Sequence, residues 1–453
     1  MGHSTSLASG HIGNRRNDMK PRNRVSLMSA TAALFSSFTV AAFGQVPVSV
    51  IVKQGDIFGT RTVSTVNAPF TDGFGKVGFV ASFSDSTRGI WHSSGFIFNS
   101  SSALPDSVTG GESTMGVSNA GGFIYSPSFN GEDAVFTHAG KLLAGGDPLP
   151  PLPGLFSTFS SRPTMIPNGT AYWIGGSTPT QGSSTSTNRH LFKATDVSNP
   201  MSITRILGGG DIIEGKAIST SASNFDYDIS DNGSHHVHIL DMVTGSSANN
   251  LHVYRNGSFV VQEGSPVGDG TNWEGLDIVA INNIGDWILT GDTTGNTATD
   301  EFVAFKGEIK VREGDTIDGV TLATGASLRA ASINNKSQVA HIWGWGSGST
   351  AQEHLFFGAG DTLYDSVRLL SVGDTLDSDG DTIADWLLTD FNASGTIGPG
   401  IELAEDGFIH VHVDMTPVAG GDEIQAVIRL AIPEPGTLGL LALGAFALIR
   451  RRR

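Results

Sequence analysis

Seven times between residues 70 and 413 the chain places Asn, Asp or Glu in a turn-like setting just ahead of a strand-like run. The clear copies are VSNAGGFIY (117–125), ISDNGSHHVHI (229–239), INNIGDWIL (281–289), INNKSQVAHIW (333–343) and LAEDGFIHVHV (403–413). FTDGFGKVGFV (70–80) and IPNGTAYWI (166–174) are looser ones. With Asp72, Asn119, Asn168, Asp231, Asn283, Asn335 and Glu405 as markers, successive spacings are 47, 49, 63, 52, 52 and 70. A period of this size means units that bury their faces only by stacking on one another. Asn or Asp before Gly tolerates positive φ and makes a tight turn. Further along each unit lies a second hairpin pattern, as in LHVYRNGSFVV and EFVAFKGEIKV. A third element, KQGD, AGGD, GGGD, QEGS, REGD or SVGD, precedes most units. One unit is therefore about four strands in about 50–60 residues.

The composition agrees, with 59 glycines and only 16% charged residues. That mix disfavours long helices and suits short strands joined by turns. The expected fold is all-β: a seven-bladed β-propeller of about four strands per blade over 45–432. It would be flanked by an N-terminal signal helix and a short C-terminal hydrophobic helix. VPVSVIV (46–52) is expected to close the ring with DEIQAVIRLAI (422–432). A two-domain β-sandwich and a β-helix are the alternatives, although these spacings are long for a β-helix coil.

The two ends differ from the middle. Residues 1–44 carry Arg15, Arg16, Lys20, Arg22 and Arg24, then an apolar run from about Val25 to Phe43, then small residues at Gly44. This is the layout of a secretory signal peptide cleaved near Gly44. At the other end, Thr437 to Ile449 is apolar or small for 13 residues. As a helix it covers about 20 Å against about 30 Å of hydrocarbon. Such a segment suits transient membrane insertion. Pro433-Glu434-Pro435-Gly436, the apolar run and Arg450, Arg451, Arg452 and Arg453 together resemble the PEP-CTERM sorting signal. The resemblance implies export in a Gram-negative-type bacterium and processing near the Pro-Glu-Pro by an exosortase-type transpeptidase. It also implies a surface or matrix destination shared with exopolysaccharide. The organisation expected is 1–44 signal peptide, 45–432 repeat domain and 433–453 sorting signal.

Cysteine is absent, which excludes disulfides, thiolate nucleophiles and Cys-based zinc sites. The segment 45–432 holds 18 basic and 42 acidic residues, a net −24. A surface this acidic repels phosphate backbones, so no nucleic-acid partner is expected. Divalent cations are expected ligands. In DTLDSDGDTIADW (374–386), Asp377, Asp379, Asp381 and Asp385, with the Ile383 carbonyl, offer several oxygens around one point, as Ca²⁺ needs. The loop resembles extracellular Asp-rich calcium repeats but has Thr382 where Gly is usual. It also reads as a lengthened version of the repeat element EGDTIDGVTL (313–322). His236 and His238, and His410 and His412, stand third and fifth after Gly233 and Gly407. Each pair lies on one strand face, a weaker candidate for Zn²⁺ or Cu²⁺.

No phosphate loop, Gly-x-Ser-x-Gly elbow or His-Glu-x-x-His occurs. Trp343 and Trp345, on one face of HIWGWGSG, read as blade core or, if exposed, as a platform for sugar rings. The reading is an exported, non-catalytic surface or matrix protein that binds polysaccharide or protein through propeller loops. A secreted carbohydrate-active enzyme with an acid pair in the propeller centre and a self-associating coat protein are the alternatives.

Overall fold

The computed structural model describes residues 46–432 apart from 72, 93–94, 119, 151, 180–187, 221–224, 348–349 and 393–399. The expected signal helix, the sorting segment from Pro433 to Arg453, and the markers Asp72 and Asn119 lie outside the described residues. Among the described residues the regular elements are strands and short 3-10 turns. None of the described helices is long and apolar enough to cross a membrane.

Five four-stranded antiparallel sheets follow one another, spanning 108–144, 155–208, 225–262, 273–312 and 327–371. In each, the strands pair in chain order. A six-stranded sheet (57–98) comes before them. A seven-stranded sheet comes after, taking 375–431 together with 46–47 and 49–53. We number these sheets first to seventh along the chain. Segments at the first strand of each sheet line one central cavity: Met115–Val117, Pro163–Ile166, Tyr227–Ile229, Ala280–Asn282 and Ala331–Asn335 among them. The arrangement is a propeller-like ring of small sheets. The sequence expectation of equal four-stranded units is met in the middle of the chain and departs at its two ends.

The core lies between neighbouring sheets rather than in a single centre. Ile288, Val303 and Phe305 of the fifth sheet meet Val339, Trp343 and Phe356 of the sixth. Trp343 is therefore core, and its Nε1 donates to His341 Nδ1 at 3.0 Å. Trp91, Trp173, Trp273 and Trp287 are also buried, while Trp345 and Trp386 are half-buried. The ring closes through Ser49–Lys53, a strand from the start of the described chain. Val52 pairs with Val427 of Ile424–Ala431, and both pack on Val63, Val66 and Phe79 of the first sheet.

The Gly-Asp element has a plain physical reason. After a sheet's outer strand the chain turns sharply inward; at Gly314 the turn takes φ +90°, where a side chain is strained. The next residue ties the turn back, with Asp315 Oδ2 accepting from Arg312 N at 2.8 Å. The same bond recurs from Lys53 N to Asp56 (2.9 Å), Ala144 N to Asp147 (2.8 Å), Gly208 N to Asp211 (2.9 Å) and Ser371 N to Asp374 (2.7 Å). Short polar side chains make such local bonds readily, so the repeat is a repeated hinge from outer strand to next inner strand.

Candidate functional site

The hairpin turns between first and second strands gather at one mouth of the central cavity. Asn282 Oδ1 closes its turn by accepting from Ile284 N (3.2 Å) and Asp286 N (2.9 Å). Asn334 does the same from Lys336 N and Gln338 N, both at 3.0 Å. The neighbouring residues then link turn to turn. Asn232 N donates to Asn283 Oδ1 at 2.8 Å, Asn283 N to Asn335 Oδ1 at 2.7 Å, and Asn335 N to Glu405 Oε1. Glu405 N donates to Gly73 O at 2.6 Å. The recurrent amide and carboxylate thus staple four turns and the first sheet into an arc.

The markers read from sequence are out of step in two places. The third turn closes from Ile166 N to Thr170 O, as the fifth closes from Asn282 N to Asp286 O. Pro167, which lacks an N–H, therefore holds the linking position, and Asn168 sits one place later at the exposed tip. The fourth turn is one residue longer, closing from Ser230 N to His235 O. Asn232 takes the linking position there, and the extra residue, Asp231, reaches sideways to accept from Asn335 Nδ2 at 3.2 Å.

The first sheet departs further. Gly73 and Gly75 of its connection lie over the mouth. Gly73 touches the Asp231 carboxylate and Gly75 the Asp406 carboxylate so closely that a Cβ at either would clash. The Gly-Phe-Gly turn therefore lies across the mouth between the fourth and seventh sheets. Beneath it the cavity is about 140 Å³, lined by Asp228, Asp231, Glu402 and Glu405 among apolar and amide groups. Asp228 Oδ2 accepts from Ile281 N of the next sheet at 2.7 Å. Asp228, Asp231 and Glu405 thus bond to other sheets.

The Asp-rich loop lies outside the cavity. Asp377, Asp379 and Asp385 bring candidate ligand oxygens within 4.8 Å of one another, the group of three or more potential metal ligands found among the described residues. This acidic cluster could hold a metal ion. Asp377 is buried and already accepts from Gly380 N (2.7 Å) and Thr382 N (3.1 Å). Asp385 accepts from the Ser378 hydroxyl and N–H, which hold its carboxyl below the usual range. Asp381 is not in the group. Its carboxylate is exposed and caps its own turn, accepting from Ile383 N at 2.7 Å. Thr382, the departure from the calcium-repeat pattern, takes φ +68°.

The histidine pairs are not equivalent and do not meet. His236 stands opposite Ile229 as Trp287 stands opposite Ile281 and Ile409 opposite Leu403. The longer fourth turn has shifted the second strand by one residue, and a one-residue shift exchanges the faces of a strand. His236 and His238 share the face of Leu240, which packs on Ile166 and Tyr172 of the third sheet. His236 Nδ1 and His238 Nε2 lie 2.9 Å apart, between Tyr227 and Tyr254. His410 and His412 sit in the seventh sheet, where His412 bonds to the backbone of Val66 in the first. Burial depresses all four, His410 and His412 to about 4, so they are neutral packing groups at neutral pH.

Sequence reasoning missed the acids clustered at the junctions between sheets. Desolvation, then Asp292 and Asp277 beside it, push the half-buried Glu301 up to about 8, while Leu328 N of the next sheet donates to it. Desolvation and Asp292 raise Asp277 to about 6, although the residue as a whole stays exposed. At the following junction, burial pushes Glu353 up to about 7 beside Asp390, and its Oε2 accepts from Phe391 N of the seventh sheet at 2.9 Å. No local motif announces these pairs, because their partners are up to 38 residues away.

The model of the PEP-CTERM protein-sorting motif matches residues 431–453. The motif marks an exported, cell-surface bacterial protein processed by exosortase-type machinery. No curated protein matches the chain. Among solved structures, a polysaccharide lyase is 9% identical at TM-score 0.35, covering 73% of this chain and 91% of its own. A putative exo-β-1,3-galactanase from Bifidobacterium bifidum is 12% identical at TM-score 0.29, covering 70% and 99%. Prolyl oligopeptidase B from Galerina marginata is 10% identical at TM-score 0.43. That match covers 82% of this chain, which spans about half (52%) of the oligopeptidase.

Proposed function

We propose that residues 45–432 form a non-catalytic, seven-bladed surface module, exported through the signal peptide 1–44 and sorted through 433–453. The observation that carries the reading is the sorting motif, which follows directly on the last strand of the ring. Blade count rests on the seven sheets of four or more strands. Against an enzyme with its acid pair in the centre stands the commitment of Asp228, Asp231 and Glu405 to bonds between sheets, under a mouth crossed by Gly73–Gly75. The loops at the rims are left to contact extracellular polysaccharide or protein on a Gram-negative-type cell. The test compares cells making the full chain with cells making a chain that lacks 433–453. The full chain is expected in the envelope fraction with polysaccharide co-purifying, and the shortened chain in the medium. Equal partition of the two sinks the reading.

The Asp377, Asp379 and Asp385 cluster is proposed as a Ca²⁺ site of the weak extracellular kind. Millimolar Ca²⁺ is expected to raise the melting temperature of the wild type by a few degrees, and Asp379→Ala to remove that rise. A wild type indifferent to Ca²⁺ makes the loop a turn and nothing more.

A further inference from the structure

The last strand, Ile424–Ala431, runs toward the mouth that bears the linked turns. Ala431 pairs with Phe408, and Ile432 N donates to Gly407 O at 2.9 Å, so Ile432 is held at the edge of the seventh turn. Only Pro433 to Gly436 separate Ile432 from the apolar run that starts at Thr437. Fully extended, that stretch reaches roughly 18 Å at most. Whatever holds the apolar run therefore lies close to this face of the ring and far from the opposite one.

The same face carries large apolar groups in solvent. Ile284 is 63% exposed at the tip of the fifth turn, where the third, sixth and seventh turns place Asn168, Lys336 and Asp406. Phe74 is 50% exposed at the summit of the loop that crosses the mouth. Its position is built in: Gly73 and Gly75 press on Asp231 and Asp406 on either side. Phe74 also borders a groove of about 300 Å³ whose floor includes Ile166 and Pro167. Exposed apolar side chains scattered singly need no explanation, and the far face carries Ile57, Ile212 and Val243. The short tether that leaves for an apolar segment is what singles out this face.

We propose that the turn-bearing mouth is the face turned to the membrane in the sorting precursor, with Phe74 and Ile284 in contact with the lipid interface. The mouth carries Asp231, Glu405 and Asp406, and the domain as a whole is acidic, so the fitting surface is zwitterionic rather than anionic lipid. The far face, with the Gly-Asp hinges, then points outward to partners. This inference rests on the reading of 437–449 as a segment that enters the membrane.

The absence of cysteine allows clean single-site labelling. Full chains carrying Phe74→Cys, Ile284→Cys or Val243→Cys are labelled with an environment-sensitive fluorophore and mixed with phosphatidylcholine vesicles containing spin-labelled phosphatidylcholine. Val243 is 62% exposed beyond the far end of His236–Asp241, so it reports the opposite face. Quenching at 74 and 284 at least twofold stronger than at 243 is the expected result. Flotation with the vesicles but equal quenching at all three sites overturns the face assignment alone. A full chain that does not float with the vesicles overturns the membrane tether, and the face assignment with it.

Discussion

Val52→Asp abolishes the cooperative thermal transition, whereas Ser49→Asp on the same strand melts within a few degrees of wild type. Val52 is fully buried and Ser49 exposed. The strand Ser49–Lys53 is the outer member of the seventh sheet and pairs with the chain's last strand. Val52 also joins Val427, Val63, Val66 and Phe79 in the cluster that binds the seventh sheet to the first. A carboxylate at this position has no cation among those groups. Leaving such a charge buried and unpaired costs about 3–5 kcal/mol, a large part of a typical stability of about 5–15 kcal/mol. Loss of pairing also bares the edge of Ile424–Ala431, an invitation to association between chains. Circular dichroism melts and size-exclusion chromatography read both effects. A Val52→Asp protein that melts with the wild type shows that the ring does not depend on this closure.

Stability falls as pH rises from 6.5 to 8.5, and Glu301→Gln removes much of the fall. Glu301 titrates near 8 in the folded chain and Glu353 near 7, both raised chiefly by burial. A carboxyl raised by folding contributes stability that is fully present below its unfolded value and lost as pH climbs through its folded value. For Glu301 that loss is on the order of 2 kcal/mol between pH 6.5 and 8.5. Glu353, raised less, adds less in the same direction. The buried histidines act oppositely. His190, His354, His410 and His412 are held to about 4, so their contribution is present above about 6.5 and lost as pH falls toward 4. Maximum stability therefore lies in the mildly acidic range. An amide at 301 imitates the protonated acid beside Asp292, so the variant exceeds wild type most at pH 8.5 and the margin closes only as pH falls toward about 4.5. Parallel pH profiles for the two proteins, or a wild type that gains stability toward pH 8.5, exclude this account.

The repeat was legible because its signals are local. Gly314-Asp315 needs only positive φ and a bond three residues back, so it shows in any single sequence. The Asn turns show for the same reason. The slips at Asn168 and Asp231 did not show, because Pro167 and the extra residue of the fourth turn keep the same letters in nearly the same order. They are separated only by which backbone group closes the turn. The consequence at His236 and His238 is complete, since a strand's faces alternate and one added residue moves both side chains to the other side of the sheet. Glu301 and Glu353 were invisible because their partners, Leu328 and Phe391, belong to the following sheets.

By itself the sequence determined the all-β class, a period near 50 residues, the absence of sulfur chemistry and the sorting motif at the end. Each follows from short-range rules of backbone torsion, composition or a contiguous motif. Tertiary structure alone decided that Gly73–Gly75 crosses the mouth and that the carboxylates there join sheets. It also decided at which face Ile432 ends the last sheet. These features depend on residues brought together from as far apart as Gly75 and Asp406, and such distances are set by packing of whole sheets.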